Sequence, residues 1–294
     1  MSTYSTSSPS SPASAAAPDH ALLADLRDTI VEALGDTLDT LLIERVVVGL
    51  FFSGVKLGNG ACGLSATPIK SIPAAVCCPS SALALPSPGK LRGRPAADLL
   101  DDLTGKQDMR RALAIATLNA LVETLWQRDG APAALAVTDG DTFDGMDIRP
   151  DDRVVLVGAF APYMRELRKR QIDYRVLELD ISTLKEVELP HYAHPDTAPE
   201  VIPWGTVLAV TGTTLINGTL DSLLAHVTPG MRVAVIGPTA PLLAAPFARR
   251  GVTHIGGARV LDPDVLLDIL AEGGSGYHFF GSLVERLTLH AGRH

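Results

Sequence analysis

The chain has 294 residues, long for one domain and comfortable for two. Hydrophobic residues make up 46% of it and aromatics only 5%, so its cores must be built mostly from Ala, Val, Leu and Ile. A formal net charge of -8 argues against a general nucleic-acid binder, no apolar run approaches a membrane span, and three cysteines make no disulfide framework.

Residues 1–20 begin as a Ser, Pro and Ala tract that cannot bury enough surface to offset its ordering entropy, so a disordered tail is expected. The first nineteen residues have neither the basic nor the apolar region of a secretory signal, and the chain is read as cytoplasmic. Leu22, Leu23, Leu26, Ile30, Val31 and Leu34 recur at helical spacing over residues 21–34, with Asp19 as a plausible N-cap. The β-branched and aromatic run over 45–53 reads as a strand. Gly58, Asn59 and Gly60 then separate two short apolar runs, which signals a hairpin.

After a Pro-rich stretch (Pro79, Pro86, Pro88) the pattern turns helical from Asp108, a possible cap, to Trp126. Leu118, Leu121, Val122 and Leu125 form its apolar stripe, and Ala112, Ala116 and Ala120 would let it sit close to a neighbour. Strands followed by helices predict a small α+β domain over 21–137. The acidic, Gly-containing segment 138–152 reads as a linker; its carboxylates miss the spacing of a calcium loop.

From residue 153 to 294 the grammar is α/β. Short apolar runs at 153–158, 173–179, 206–212, 232–237 and 252–255 alternate with helical stretches at 162–170, 218–226, 240–250 and 263–272. Strands that are apolar throughout and alternate with helices predict a doubly wound, Rossmann-like parallel sheet covered on both faces. Three of them end in glycine (Gly158, Gly212 and Gly237) at the end where open α/β sheets hold ligands.

The turn after Gly158 lacks the other two glycines of a dinucleotide fingerprint, and Phe160 and Pro162 would block a pyrophosphate, which argues against NAD or FAD. Phe160 and Tyr163 either frame a smaller ligand or merely cover the sheet. Glu178, about twenty residues on, stands where a ribose-binding carboxylate would sit; a strand-end acid paired with an Arg is the plainer reading. Thr211, Thr213, Thr214, Asn217 and Thr219 crowd one strand-to-helix junction, more polar groups than capping needs, and predict a polar pocket floor. Gly237, Pro238 and Thr239 repeat the theme at the next strand, with Thr239 as a helix cap. His191, His194 and Cys62 are the least poor metal ligands and are read as structural, as are the adjacent Cys77 and Cys78. No nucleophile elbow or phosphate loop occurs.

The segments GNGACGL (58–64), AIATLNAL (114–121), VVLVGAF (154–160), TGTTLINGTL (211–220) and GPTAPL (237–242) resemble, in this order, the putative heavy-metal chelation family of bacteria and archaea. The resemblance spans residues 22–280 and leaves out the tail and the Pro-rich insertion. It implies an N-terminal domain resembling that of enolase, a Rossmann-like C-terminal domain, and a small ligand or metal complex in the cleft between them. The cofactor so implied is a divalent or transition metal of open identity. The expected partners are a small-molecule or metal-chelate ligand and further copies of the chain, with neither nucleic acid nor membrane. The ligand-binding set expected is Gly158, Phe160, Tyr163, Glu178, Thr213, Thr214, Asn217, Gly237, Pro238 and Thr239. The alternative is an enzyme acting on an amino-acid-like or nucleotide-like substrate in chelator biosynthesis. Its titratable group would then be Glu178, Asp180 or Tyr163.

Overall fold

The computed structural model describes residues 20–71, 85, 87–137 and 141–292. The tail reading, the Asp19 cap, Cys77, Cys78 and the first residues of the expected linker lie outside these. Helix α1 (Ala21–Leu34) buries the predicted stripe of Leu22, Leu23, Leu26, Ile30 and Leu34. Its first turn is capped from far along the chain: the Leu22 N–H donates to both carboxylate oxygens of Asp221, each at 3.1 Å. Arg250 ties the same carboxylate to Asp25 of α1, at 3.2 and 2.7 Å.

The predicted strand over 45–53 is in fact two. Strands β1 (Ile43–Val48) and β2 (Phe52–Leu57) pair antiparallel across a turn closed by the Gly49 N–H on the Phe52 carbonyl at 3.0 Å. The hairpin at Gly58–Gly60 then leads into β3 (Cys62–Ala66), giving a sheet of order β1-β2-β3. After the short α2 (Ala97–Leu100), the long α3 (Asp108–Asp129) lies across this sheet. The small residues of α3 meet β3 backbone to backbone. A Cβ on Gly63 would stand 2.2 Å from the Ala116 carbonyl oxygen and 2.4 Å from the Ala120 nitrogen. Only glycine fits there. Asp108 begins α3 without capping it and pairs instead with the buried Arg111 at 2.9 Å.

The second sheet has eight strands in the order β4-β11-β10-β9-β8-β5-β6-β7. Five follow the predicted runs: β5 (Arg153–Val157), β6 (Asp173–Leu177), β8 (Val207–Thr211), β9 (Arg232–Ile236) and β10 (His254–Val260). With the two-residue β7 (Tyr192–Ala193) they are parallel, and β5, β8 and β9 are buried almost throughout. The chain runs outward from β5 to β7, then returns to the other side of β5 and runs out through β8, β9 and β10. That reversal creates a switch point between β5 and β8. Two antiparallel strands, β4 (Leu135–Val137) and β11 (Val284–His290), extend the β10 edge. Neither was read in the sequence, and β4 falls in the stretch assigned to the first domain.

The helices between these strands are α4 (Ala161–Lys169), α5 (Ala198–Trp204), α6 (Thr213–Ile216), α7 (Leu220–Leu224), α8 (Ala244–Ala248) and α9 (Pro263–Ala271). The predicted helix over 218–226 shortens to α7, with Gly218 at φ +76° separating it from α6, which was not read in the sequence, and that over 240–250 shrinks to α8. The acidic segment read as a linker packs down: Thr142, Phe143 and Met146 are buried, and Thr142 hydrogen-bonds Thr288 of β11 at 2.8 Å. Helix α9 leaves the large sheet and covers the open face of the small one, where Leu266, Leu267 and Leu270 cluster with Cys62 and Leu64. Lys56–Asp264 and Arg45–Asp268 contacts, both 2.8 Å, line its edge. The small sheet is thus held between α3 and α9. No described helix is long and apolar enough to cross a membrane.

Two consequences are measurable. Gly63→Ala and Ala116→Leu should each lower the unfolding free energy by about 1–3 kcal/mol, read by urea denaturation, because neither backbone can retreat. Unchanged midpoints would remove the α3–β3 contact from the stabilising core.

His254 faces His290 across the β10–β11 ladder, and burial, aided by that neighbour, holds its imidazole down to about 4. A histidine kept neutral in the fold protonates first in the unfolded chain, so stability is full above pH ~6.5 and declines as the pH falls toward 4. Melting curves of the wild type and His254→Phe should converge toward acid pH. Parallel pH profiles would contradict this.

Candidate functional site

At the carboxyl ends of β8, β9 and β10, backbone from Gly212, Gly237, Gly256 and Gly257 floors a cavity of about 350 Å³. Phe52 and Ala66 of the small sheet roof it. The roof is fastened by polar groups. The Ala66 N–H donates to Thr239 Oγ1 at 2.9 Å, and Asn119 of α3 donates from Nδ2 to the Leu64 carbonyl at 2.8 Å and the Pro238 carbonyl at 3.2 Å. Thr239 is therefore not the helix cap expected of it: α8 starts five residues later, and its hydroxyl is buried as a tie between the two sheets.

One wall is a stack of three rings. Phe143 and Phe160 lie on either side of Tyr163, with centroids 4.2 and 4.8 Å away and ring planes within 7° and 17° of parallel. Both predicted rings line the cleft, and Tyr163 is also buried in the core beneath it. Burial, with the Asp141 carboxylate beside the hydroxyl, pushes the Tyr163 phenol well above its ordinary range. The cleft is also lined by Arg286, whose guanidinium lies over the Phe280 ring at 4.4 Å and which has no ion-pair partner among the described residues. Sequence reading found Phe160 and Tyr163 but missed Asn119, Asp141 and Arg286. The last stands on β11, a strand that reading did not recognise.

The other half of the predicted set does not converge on this cleft. Gly158, Glu178, Thr214 and Asn217 border a second cavity, of about 490 Å³, on the far side of Thr211 and Thr213. Among the described residues Glu178 has no arginine partner. Its Oε2 accepts the Ala159 N–H and its Oε1 the Asp180 N–H, both at 2.9 Å, so the carboxylate locks the turn after β5. Asp180 pairs with Lys70 at 2.5 Å, and that ammonium, helped by Ser182, holds the carboxyl down to about 2. Thr214 donates its hydroxyl to the Thr211 carbonyl at 2.7 Å and is spent on the turn. Asn217 Oδ1 accepts from the Thr219 hydroxyl at 2.8 Å and its N–H at 3.2 Å, which braces the approach to α7.

The considered metal ligands are scattered. His191 stacks on Tyr174 with centroids 3.8 Å apart, and burial lowers its pKa. His194 receives the Asp196 N–H at 3.3 Å immediately after β7. Cys62 is buried against α9, and burial pushes its thiol up to about 12. Among the described residues no group of three His, Cys, Asp or Glu could hold a metal ion. A bare ion gripped by these side chains does not fit.

Thr239→Val should cost about 1–3 kcal/mol, since it strands the Ala66 N–H, whereas Thr239→Ser should sit near wild type. Chemical denaturation of the two variants checks this, and equal losses would show that the methyl rather than the hydroxyl matters.

Comparison with known proteins agrees with this architecture. Residues 141–288 match one family model and residues 31–122 a second, both described as "putative heavy-metal chelation". An uncharacterized protein of Methanocaldococcus jannaschii is 29% identical over 177 residues, a match covering 59% of this chain and 64% of the relative. Two crystal structures of proteins of unknown function share the fold at 18% identity. The Pyrococcus horikoshii protein has a TM-score of 0.70, covering 92% of this chain and 99% of its own. The Desulfitobacterium hafniense protein has a TM-score of 0.68, covering 91% and 98%. Sequence, fold and family models converge, and the chain belongs to the family described as putative heavy-metal chelation.

Proposed function

We propose that the protein binds a small anionic ligand, an organic chelator or its metal complex, in the cleft between the small sheet and the β8–β10 strand ends. The metal is cargo carried by the chelator. Arg286 carries this reading: a guanidinium in a cleft of about 350 Å³, stacked on Phe280 and without an acidic partner among the described residues. Arg presents a planar fork of donors suited to carboxylates, and its stacking on a ring orients that fork in advance. A cavity of this size with a few placed polar groups is typical of small-molecule sites. The scattered donors argue in the same direction, because a chelate brings its own metal ligands. The expectation of ten site residues around one ligand narrows here to Phe160, Tyr163, Thr213 and the Gly237–Thr239 turn.

Catalysis has less support. Tyr163 stays protonated, Glu178 is occupied by two backbone amides, and Asp180 is paired with Lys70. Neither Tyr163 nor Asp180 is poised near neutral pH as a general acid or base would be.

Native mass spectrometry and elemental analysis of the desalted protein test the proposal. The wild type should retain a small organic anion, with metal in proportion, and Arg286→Ala should lose both while melting normally. Metal that survives Arg286→Ala with no organic species, and leaves on treatment with EDTA, would overturn the reading in favour of a bare ion.

A further inference from the structure

The second cavity differs from the cleft, which carries both Arg286 and Asp141, in its charged groups. Its volume of about 490 Å³ lies at the carboxyl ends of β5, β6 and β8, and neither Lys nor Arg lines it. Its charged groups are the Glu178 and Asp196 carboxylates. Doubly wound folds hold a phosphate here on free amides of the first strand-to-helix turn. In this chain those amides are consumed. The Ala159 N–H goes to Glu178, the Phe160 N–H to the Gly158 carbonyl at 2.9 Å, and the Ala161 N–H to the Ala159 carbonyl at 3.0 Å. A phosphate at that turn would meet a carboxylate and no free amide from Ala159, Phe160 or Ala161.

What the cavity offers is an acceptor in a fixed place. Each oxygen of Glu178 takes one backbone N–H, which pins the carboxylate at the end of the second parallel strand. A carboxylate has about four lone-pair sites, so two remain for hydroxyl donors. That geometry suits a vicinal diol. Beside it stands an apolar wall: Leu179, 74% exposed, with Pro195, Ala198 and Pro199. A large aliphatic side chain left so open beside a cavity has area to give to a flat ring. Asn217, whose Oδ1 is engaged by Thr219, keeps its amide N–H groups as donors at the far side.

We infer that this cavity is a second binding site, separate from the cleft, for an unphosphorylated nucleoside whose ribose diol donates to Glu178 and whose base lies on the Leu179 wall. The two sites share Thr211 and Thr213, so their ligands would be neighbours across those side chains.

Calorimetric titration of the full chain with adenosine, guanosine, cytidine and uridine tests it. At least one should bind, and its 2′,3′-dideoxy analogue and 5′-monophosphate should each bind about tenfold more weakly or worse. Leu179→Asp, at an exposed position, should weaken binding by a similar factor with an unchanged melting curve. Arg286→Ala should leave nucleoside affinity as it is, which separates this site from the cleft. Absence of binding by all four nucleosides at millimolar concentration would overturn the inference. So would a monophosphate or dideoxy analogue that binds as well as its parent, indifference to Leu179→Asp, or loss of nucleoside binding in Arg286→Ala.

Discussion

Much of this molecule depends on how closely α3 approaches β3. At Gly63 the helix backbone occupies the space of a side chain, and Ala116 and Ala120 make the same concession from the other side. Interiors are close-packed, so a displacement here has nowhere to dissipate. The approach places Asn119, between those alanines in sequence, within reach of both the Leu64 carbonyl and the Pro238 carbonyl. One amide thereby registers the small sheet against the turn that floors the cleft. The Thr239 hydroxyl adds the second point of attachment, on the Ala66 N–H. The height of the cavity is set by backbone contacts and buried hydrogen bonds rather than by flexible surface chains.

The two sheets are interlocked more deeply than a chain of successive domains would be. Helix α9 follows β10 in the large sheet yet buries its leucines on the small one, and β4 leaves α3 to join the edge of the large sheet. Helix α1 is capped by Asp221 and held by Arg250, both far along the chain. The buried Arg111 donates from α3 to Asp108 and to the carbonyls of Gly105 and Ile216, so it fastens α3 to the end of α6. A guanidinium in such a place is tolerable because carbonyls and a carboxylate surround it. Rigid placement of the cleft walls follows from these crossings, since opening the cleft would require several buried polar groups to part at once.

The parallel core was legible because β5, β8 and β9 are buried on both faces, which forces uninterrupted apolar runs. The same rule hides β11. Its sequence VERLTLH mixes Glu285 and Arg286 with apolar residues, because an antiparallel strand beside the edge keeps part of its surface open. β7 is two residues long and carries no periodicity at all. The three-alanine stripe of α3 was legible as a close contact, though its partner, Gly63, carried no signal of its own. Among site residues the sequence could place Glu178 at a strand end but not reveal that backbone amides would take both its oxygens. Thr239 carried a cap signature and is used as a tie because the two prolines around it, Pro238 and Pro241, postpone the helix. Local propensity names the group that can bond; the fold decides which partner arrives.

The distribution of charge at the strand ends carries the functional argument further than the residue types alone. Thr211 and Thr213 stand between a cleft lined by the Arg286 guanidinium and the Asp141 carboxylate and a cavity lined by the Glu178 and Asp196 carboxylates. Discrimination between ligands comes as much from what a site repels as from what it attracts. An anionic chelate in the second cavity would face Glu178 and Asp196, with no Lys or Arg in the lining among the described residues. A hydroxyl-rich neutral ligand in the cleft would leave Arg286 without the charge it is stacked to receive. On the two proposed readings, neighbouring cavities would sort their ligands without any moving part, chiefly through two side chains, Arg286 and Glu178, that lie 108 positions apart in the sequence.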